Sequence, residues 1–169
     1  MAEFAASIIG IGTAAGSAIK ISKTIYHFCK TIHGAKHDIQ AFAKDVETYG
    51  TVIRFAHLSL DRHLGSESPV LDFMDTQHVL VQLKQQADRV KVQIKQLVRR
   101  IRPLRNKNEW WTRVKWVWQK PDFEAVGPKM ESVKSSLNVV VTFIMMEVML
   151  QQEKAEANVE VQRSLRQQM

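Results

Sequence analysis

Histidine and cysteine side chains are the residues of this chain best suited to metal binding or nucleophilic catalysis. His33 and His37 are four residues apart, a spacing that places two metal ligands on one helical face. Gly34 lies between them and no further ligand set is apparent, so a solvated pair is the simpler interpretation. Cys29 is the single cysteine, and among apolar neighbours on a predicted helix we expect it to be a small core side chain.

Glycines near the N-terminus are a second candidate for chemistry, because Gly10, Gly12 and Gly16 are spaced like part of a dinucleotide-binding turn. That turn needs a preceding strand and a parallel sheet, and the sequence indicates neither. His57, Asp61 and His63 lie near a predicted helix end, where we expect them to be solvated. With no phosphate loop, acid pair or nucleophile motif, the sequence predicts a non-enzyme without metal or cofactor.

Apolar residues recur at near-heptad spacing in three long stretches, which predicts three long amphipathic helices. No stretch alternates with period two, so strands are not expected. Burying such stripes requires helix-on-helix packing, which predicts an all-α fold, an antiparallel four- to five-helix bundle with a hydrophobic N-terminal helix. The stripes are Ile39, Phe42, Val46, Tyr49, Ile53, Ala56 and Leu60; Phe73, Leu80, Leu83, Ala87, Val90, Ile94, Leu97 and Ile101; and Phe123, Val126, Met130, Val133, Leu137, Val140, Ile144 and Val148.

The length suits one domain, residues 1–169, which is long enough to bury a sizeable core. Proline and glycine positions divide it into predicted segments. These are a hydrophobic N-terminal segment over 1–19, helices over 20–62 with a break at Gly34, one long basic helix over 69–102, a short tryptophan-rich helix over 109–120 and a long C-terminal helix over 121–165.

The N-terminal segment is apolar enough to reach a membrane, but only conditionally. Its insertion-favouring side chains each contribute about 0.3–0.6 kcal/mol, whereas one carboxylate at the bilayer centre costs about 2.5–3.5 kcal/mol. Gly12 and Gly16 offer a close-packing face for several copies. The predicted membrane-inserting residues are Phe4, Ile8, Ile9, Ile11 and Ile19, with Glu3 as the only ionisable side chain.

Two other interpretations of this segment stand beside insertion. A secretory signal peptide would need a basic start, and Glu3 stands there instead. A buried helix is consistent with the spacings of four, three, four and four residues along Phe4, Ile8, Ile11, Ala15 and Ile19. We expect the segment to be part of the core at rest and to be released by a trigger.

A band of positive charge is the second feature that points to a membrane. The chain carries a net charge of +7, and residues 89–120 alone hold eleven Lys or Arg residues against one acid, Glu109. Such a band attracts phospholipid headgroups or nucleic acid, and without a recognition module nucleic acid is the less favoured partner. The predicted anionic-lipid contacts are Arg99, Arg100, Arg102, Arg105, Lys107, Arg113 and Lys115, with Trp110 and Trp111 as interfacial aromatics.

The order of these features resembles a known family. The start MAEFAASIIGIGTAAGSAIKISKTIYHF, the Ile39–Leu60 pattern, the pair Lys115 and Trp116, and Lys134 with Leu137 in KSSL are similar to the HeLo-like N-terminal domains of fungal STAND (NACHT-type) receptors and cell-death effectors. The likeness covers roughly residues 1–150.

The resemblance implies a helical bundle that executes regulated cell death in heterokaryon incompatibility or fungal innate immunity. An upstream receptor or amyloid-type signalling protein would oligomerise it, and the N-terminal helix would then enter the membrane. The protein would be cytoplasmic at rest and at the plasma membrane once active, with anionic lipid and further copies of itself as partners. The alternative is a soluble homotypic interaction domain of a STAND receptor, whose mark would be a large apolar patch on an exposed helix face while the N-terminal segment stays buried.

Overall fold

A computed structural model describes residues 2–30, 32, 35–63, 68–104 and 107–167, with the side chains of 2, 161, 162 and 164–167 left out. These residues form six α-helices and one 3-10 turn, and they include no β-strand. The helices are α1 (Ala2–Cys29), α2 (Lys36–Arg62), α3 (Pro69–Thr76), α4 (Val79–Ile101), α5 (Glu109–Glu124) and α6 (Gly127–Gln167), and the 3-10 turn is Arg102–Leu104. The predicted all-α bundle is therefore confirmed.

Four long helices make the bundle. Helix α1 packs against α2 and α4, and both of these pack against α6, so the four enclose one continuous core. Every residue of the first predicted stripe, on α2, is buried. The third stripe is buried from Phe123 to Ile144, and Val148 is half-buried.

Helix α1 is longer than the predicted hydrophobic segment. It continues without a break past residue 19 to Cys29, because Ala18, Ile25 and Phe28 extend its buried face. Ser22 is buried on the same face and satisfies its hydroxyl by donating to the Ile19 carbonyl at 2.8 Å. The predicted boundary at residue 19 was therefore wrong for the helix itself.

The predicted single helix over 69–102 is two helices, α3 and α4, separated at Gln77 and His78. His78 has a left-handed backbone, with φ of 52°. Met74 and Leu80 are both buried, yet six residues of continuous helix would turn them about 120° apart, so a break lets both enter the core. Phe73, which the stripe placed in the core, is exposed instead.

Two side-chain caps set where the short helices begin. The Ser68 hydroxyl accepts a hydrogen bond from the Leu71 amide at 3.1 Å and donates to the Glu147 carboxylate, which ties α3 to α6. The Asn108 side chain accepts from the Trp111 amide at 2.8 Å and starts α5.

The last two helices differ from the predicted boundaries of 109–120 and 121–165. Helix α5 runs through Pro121 to Glu124, and α6 begins at Gly127 with Pro128 in its first turn, a position where a missing amide proton costs little. At about 1.5 Å per residue α6 extends about 60 Å. All its described side chains from Met149 to Glu160 are exposed.

Candidate membrane-contacting surfaces

The residues predicted to insert into a membrane are divided between the core and the surface. Phe4, Ile8 and Ile11 are buried between α1 and its neighbours, whereas Ile9 is 64% exposed. Ile19 is half-buried and Glu3 is exposed at the start of α1. In this conformation the set does not form one apolar surface that a bilayer could contact.

Helix α1 approaches α2 and α4 closely, and small residues make this possible. A Cβ added to Gly12 would lie 2.7 Å from His57 Nε2, and one added to Gly10 would lie 2.4 Å from Lys84 Cε. On the facing helix, a Cβ at Gly50 would lie 3.0 Å from the Ile19 backbone nitrogen. Gly16, the other predicted packing glycine, is exposed with open space beside it, so only Gly12 of that pair is packed.

Cys29 lies in the core, as its sequence context indicated. Burial raises the pKa of the Cys29 thiol, which keeps it protonated near neutral pH. The described residues contain no group of three or more His, Cys, Asp or Glu side chains able to hold a metal ion. His33 and Gly34 lie outside the described residues.

The predicted lipid-contacting cations lie at the end of α4 and on α5. Arg99 and Arg102 are exposed with no ion pair to any described residue, and so is Lys107 before α5. Arg100 pairs with Asp122, and Arg113 pairs with Glu109 at 2.6 Å. Of the remaining two, Lys115 is half-buried and Arg105 lies outside the described residues.

Helix α5 turns its wider apolar face to solvent. Trp110 is 70% exposed and Trp118 82%, and Val117 between them is also exposed. Trp111 is exposed beside this face, as the interfacial assignment requires. Helical spacing puts Trp110, Val117 and Trp118 on one face, and Trp118 was not among the predicted interfacial aromatics.

The opposite face of α5 anchors it to the bundle. Trp116 is buried, and its indole Nε1–H donates to Asp38 Oδ2 at 2.9 Å. This hydrogen bond, with Lys120 nearby, lowers the pKa of the Asp38 carboxyl. Phe123 packs against Trp116 and edge-on against Phe42, with ring centroids 4.8 and 4.9 Å away. Helix α5 is therefore held firmly while its outer face stays open.

A further apolar surface, on α6, was not predicted. Val139, Phe143, Met146 and Leu150 are spaced by four, three and four residues and are each more than half exposed. They lie on the side of α6 away from the buried stripe through Leu137. The dense apolar run was visible in the sequence, but only the stripe facing the core was assigned.

Two helical stretches, Glu3–Cys29 and Glu109–Glu160, are long and apolar enough to cross a bilayer by length and composition alone. Core helices of soluble proteins pass the same test, so this is weak evidence for a membrane span. Comparison of the chain with protein-family models, curated proteins and solved structures gave no match.

Proposed function

We propose that this protein is a membrane-targeting effector of regulated cell death, of the type that the HeLo-like resemblance implies. At rest it is cytoplasmic. Clustering by an upstream receptor or amyloid-type signalling protein brings copies together on the anionic plasma membrane, where α1 leaves the bundle and inserts. No enzymatic step is needed for this activity.

The observation that carries the proposal is the outward face of α5. Trp110, Val117 and Trp118 form an exposed apolar strip with Lys107 and Arg113 nearby in the chain. An apolar strip with tryptophans and neighbouring cations suits the headgroup layer, since the rings enter the acyl boundary while cations remain at the phosphates. Each basic residue close to an anionic surface adds about 1 kcal/mol of attraction.

The burial of α1 explains why insertion would require a trigger. A fully buried Ile or Phe side chain contributes about 1.5–3 kcal/mol to the fold, and Phe4, Ile8 and Ile11 are all buried. Entry of α1 into a bilayer would return these side chains to an apolar environment, but it would leave the apolar faces of α2 and α4 exposed to water, so the closed bundle is lower in free energy. A single copy should therefore bind membranes without inserting, and association between copies has to offset the difference.

A disulfide between α1 and α2 provides the test. A Cβ at Gly50 would lie 3.1 Å from the Ala18 Cβ, somewhat closer than the roughly 3.8 Å of a disulfide, so a crosslink here requires α1 and α2 to separate slightly. We would combine Ala18→Cys and Gly50→Cys with Cys29→Ala, cluster the protein through a fused, chemically induced oligomerisation domain, and measure dye release from phosphatidylserine vesicles. The reduced protein should release dye, whereas the oxidised protein should bind the vesicles and release none.

Oxidised Ala18→Cys/Cys29→Ala, which cannot form the crosslink within one chain, is the matched control and should behave like the reduced protein. Circular dichroism before and after oxidation establishes that both forms stay helical. Equal dye release from the crosslinked and reduced forms would contradict insertion of α1. If neither the crosslinked nor the reduced form binds the vesicles, the membrane role of α5 is contradicted.

A second candidate, the homotypic interaction domain, is favoured by the exposed stripe on α6. Its predicted mark was a large apolar patch on an exposed helix face with the N-terminal segment permanently buried. The exposed stripe on α6 and the buried side chains Phe4, Ile8 and Ile11 of α1 support this candidate. If the protein self-associates without lipid through Phe143 and Met146 and never releases dye, this function replaces the membrane role.

A further inference from the structure

A groove lies between helices α4 and α6 on one side of the bundle. The larger part of this groove is a cavity of about 510 Å³, within the range of small-molecule sites. Val90 of α4 and Val133 of α6 form its apolar floor, and both are buried in the core. The cavity is distinct from the α5 face and from the predicted lipid contacts.

The rim of this cavity is cationic. Arg89 of α4 and Lys129 of α6 stand on opposite sides, with Gln93 and Ser132 between them as neutral hydrogen-bonding groups. Arg89 makes no ion pair with any described residue. Lys129 Nζ donates to Gln93 Oε1 at 3.2 Å, so its charge meets a neutral amide rather than a carboxylate. Two cations thus line one cavity, and none of its described lining residues is acidic.

The adjoining part of the groove also contains a cation, but that cation is already paired with a carboxylate. A smaller cavity of about 180 Å³ shares Gln93 and Lys129 with the larger one, but its own cation, Arg100, already pairs with Asp122. An anionic ligand would have to compete with that carboxylate there. In the larger cavity it would meet Arg89 and Lys129 without such competition.

The geometry points to a binding site for a phosphate group in the α4/α6 groove, held by Arg89 and Lys129 with Ser132 as a further donor. The phosphate is that of a lipid headgroup or of a free small molecule. Val90 and Val133 would contact the apolar part of a lipid next to its phosphate. No described lining residue is aromatic, so a nucleic acid base would have no ring to stack on. The identification of the ligand as a lipid rests on the proposed function, whereas the phosphate site itself does not.

Calorimetric titration of the full chain tests this assignment. The probes are inorganic phosphate and dihexanoyl phosphatidic acid kept below its micelle concentration, so that no bilayer is involved. Arg89→Gln/Lys129→Gln should weaken binding about tenfold or more, because it removes both cations that would hold the phosphate. Lys44→Gln/Arg54→Gln removes the same charge from exposed positions on α2 and should leave the affinity unchanged.

Ser132→Phe is a second variant that fills the groove without changing its charge, and it should also abolish binding. Its residue is exposed on α6, so the bundle should tolerate the ring. Tight binding of phosphatidic acid alone would identify a lipid ligand, and equal binding of inorganic phosphate would identify a free phosphate ligand. Both results support the site.

Binding of neither probe would overturn the assignment, and so would equal losses in the groove variant and the α2 control. Failure here is separable from failure of the proposed function. The groove variants keep α1 and the outer face of α5 intact, so phosphatidylserine vesicle binding and dye release should continue even if the groove binds no phosphate.

Discussion

Helices α1 and α6 are both rich in apolar residues, but they use them differently. In the most apolar part of Glu3–Cys29, which is α1, 39% is buried. In the most apolar part of Glu109–Glu160, which comprises α5 and most of α6, 28% is buried. Helix α1 packs against two long helices and commits its main stripe, through Ile8 and Ile11, to the core. Helix α6 commits one stripe to the core and leaves a second, through Phe143 and Met146, in solvent.

Side-chain size accounts for much of this difference. Ala14, Ala15 and Ala18 are buried on α1, and Gly12 allows the His57 ring to lie against its backbone. Small residues permit close approach on more than one side. The outer stripe of α6 carries Val, Phe, Met and Leu, and no described helix covers it. Apolar content alone therefore does not indicate which helix is available for a partner or a membrane.

Under the proposed function, this difference implies an order of events. The outer faces of α5 and α6 are accessible in the resting fold, so they can make the first contacts with lipid or with another copy. Helix α1 can contribute only after its contacts with α2 and α4 are broken. A trigger that acts on α1 must supply free energy, whereas one that uses α5 or α6 need only bring surfaces together.

The largest effect should come from a charge on the buried side of α1. Ile8 is 1% exposed, and Ile8→Glu should destabilise the fold by about 4 kcal/mol or more, because a carboxylate would be buried without a partner. Ile9→Glu, one residue along on the exposed side, should cost less than about 0.5 kcal/mol. Urea unfolding followed by circular dichroism measures both. Similar losses in the two variants would mean that α1 is covered on both sides.

The same comparison on α6 should give a smaller difference. Leu137 is fully buried, and Leu137→Ala should cost about 2–5 kcal/mol through lost contacts and a cavity. Phe143→Ser on the outer stripe should change the free energy of unfolding by less than about 0.5 kcal/mol. Urea unfolding again provides the measurement.

Sedimentation at increasing protein concentration separates the role of the outer stripe from its effect on stability. If copies associate through α6, Phe143→Ser should weaken their association while Leu137→Ala, measured where it is folded, should not. A stability loss in Phe143→Ser as large as in Leu137→Ala would show that another part of the chain already covers this stripe.

The sequence was sufficient to predict the helical bundle and the core face of α2, because one unbroken heptad pattern fits one helix that packs on one side. The prediction was wrong at Phe73, which was assigned to the core because it lies seven residues before Leu80 and was assumed to be on the same helix. Leu71 and Met74 are buried, and they do not lie on the same helical face as Leu80, so the helix must break before α4. The sequence pattern alone does not show whether the face with Phe73 or the face with Leu71 and Met74 packs into the core. The helix boundary at 77–78 follows from that competition.

The surfaces were harder to predict than the core. The shared face of Trp110 and Trp118 was evident from spacing, but whether it faces the bundle depends on Trp116 and Phe123 packing beneath α5. The α4/α6 groove has no sequence signal at all. It brings together Arg89 and Lys129, forty residues apart, only because α4 and α6 lie side by side in the fold.

The smallest effect concerns the buried hydroxyl of Tyr49, a residue of α2. The Tyr49 hydroxyl is buried without a hydrogen-bond partner among the described residues, and burial together with the nearby Asp88 charge raises its pKa. Tyr49→Phe should leave stability at neutral pH unchanged or raise it by about 1 kcal/mol, since an unpaired buried hydroxyl is removed. Above a pH of about 10 the unfolded tyrosine loses its proton while the folded one keeps it, so the natural protein loses stability as pH rises. The phenylalanine variant should lose less over that range in alkaline urea titrations. If both proteins lose the same free energy of unfolding at alkaline pH, the Tyr49 hydroxyl must reach a hydrogen-bond partner or solvent. The core beside α1 would then contain no unpaired Tyr49 hydroxyl that could favour release of α1.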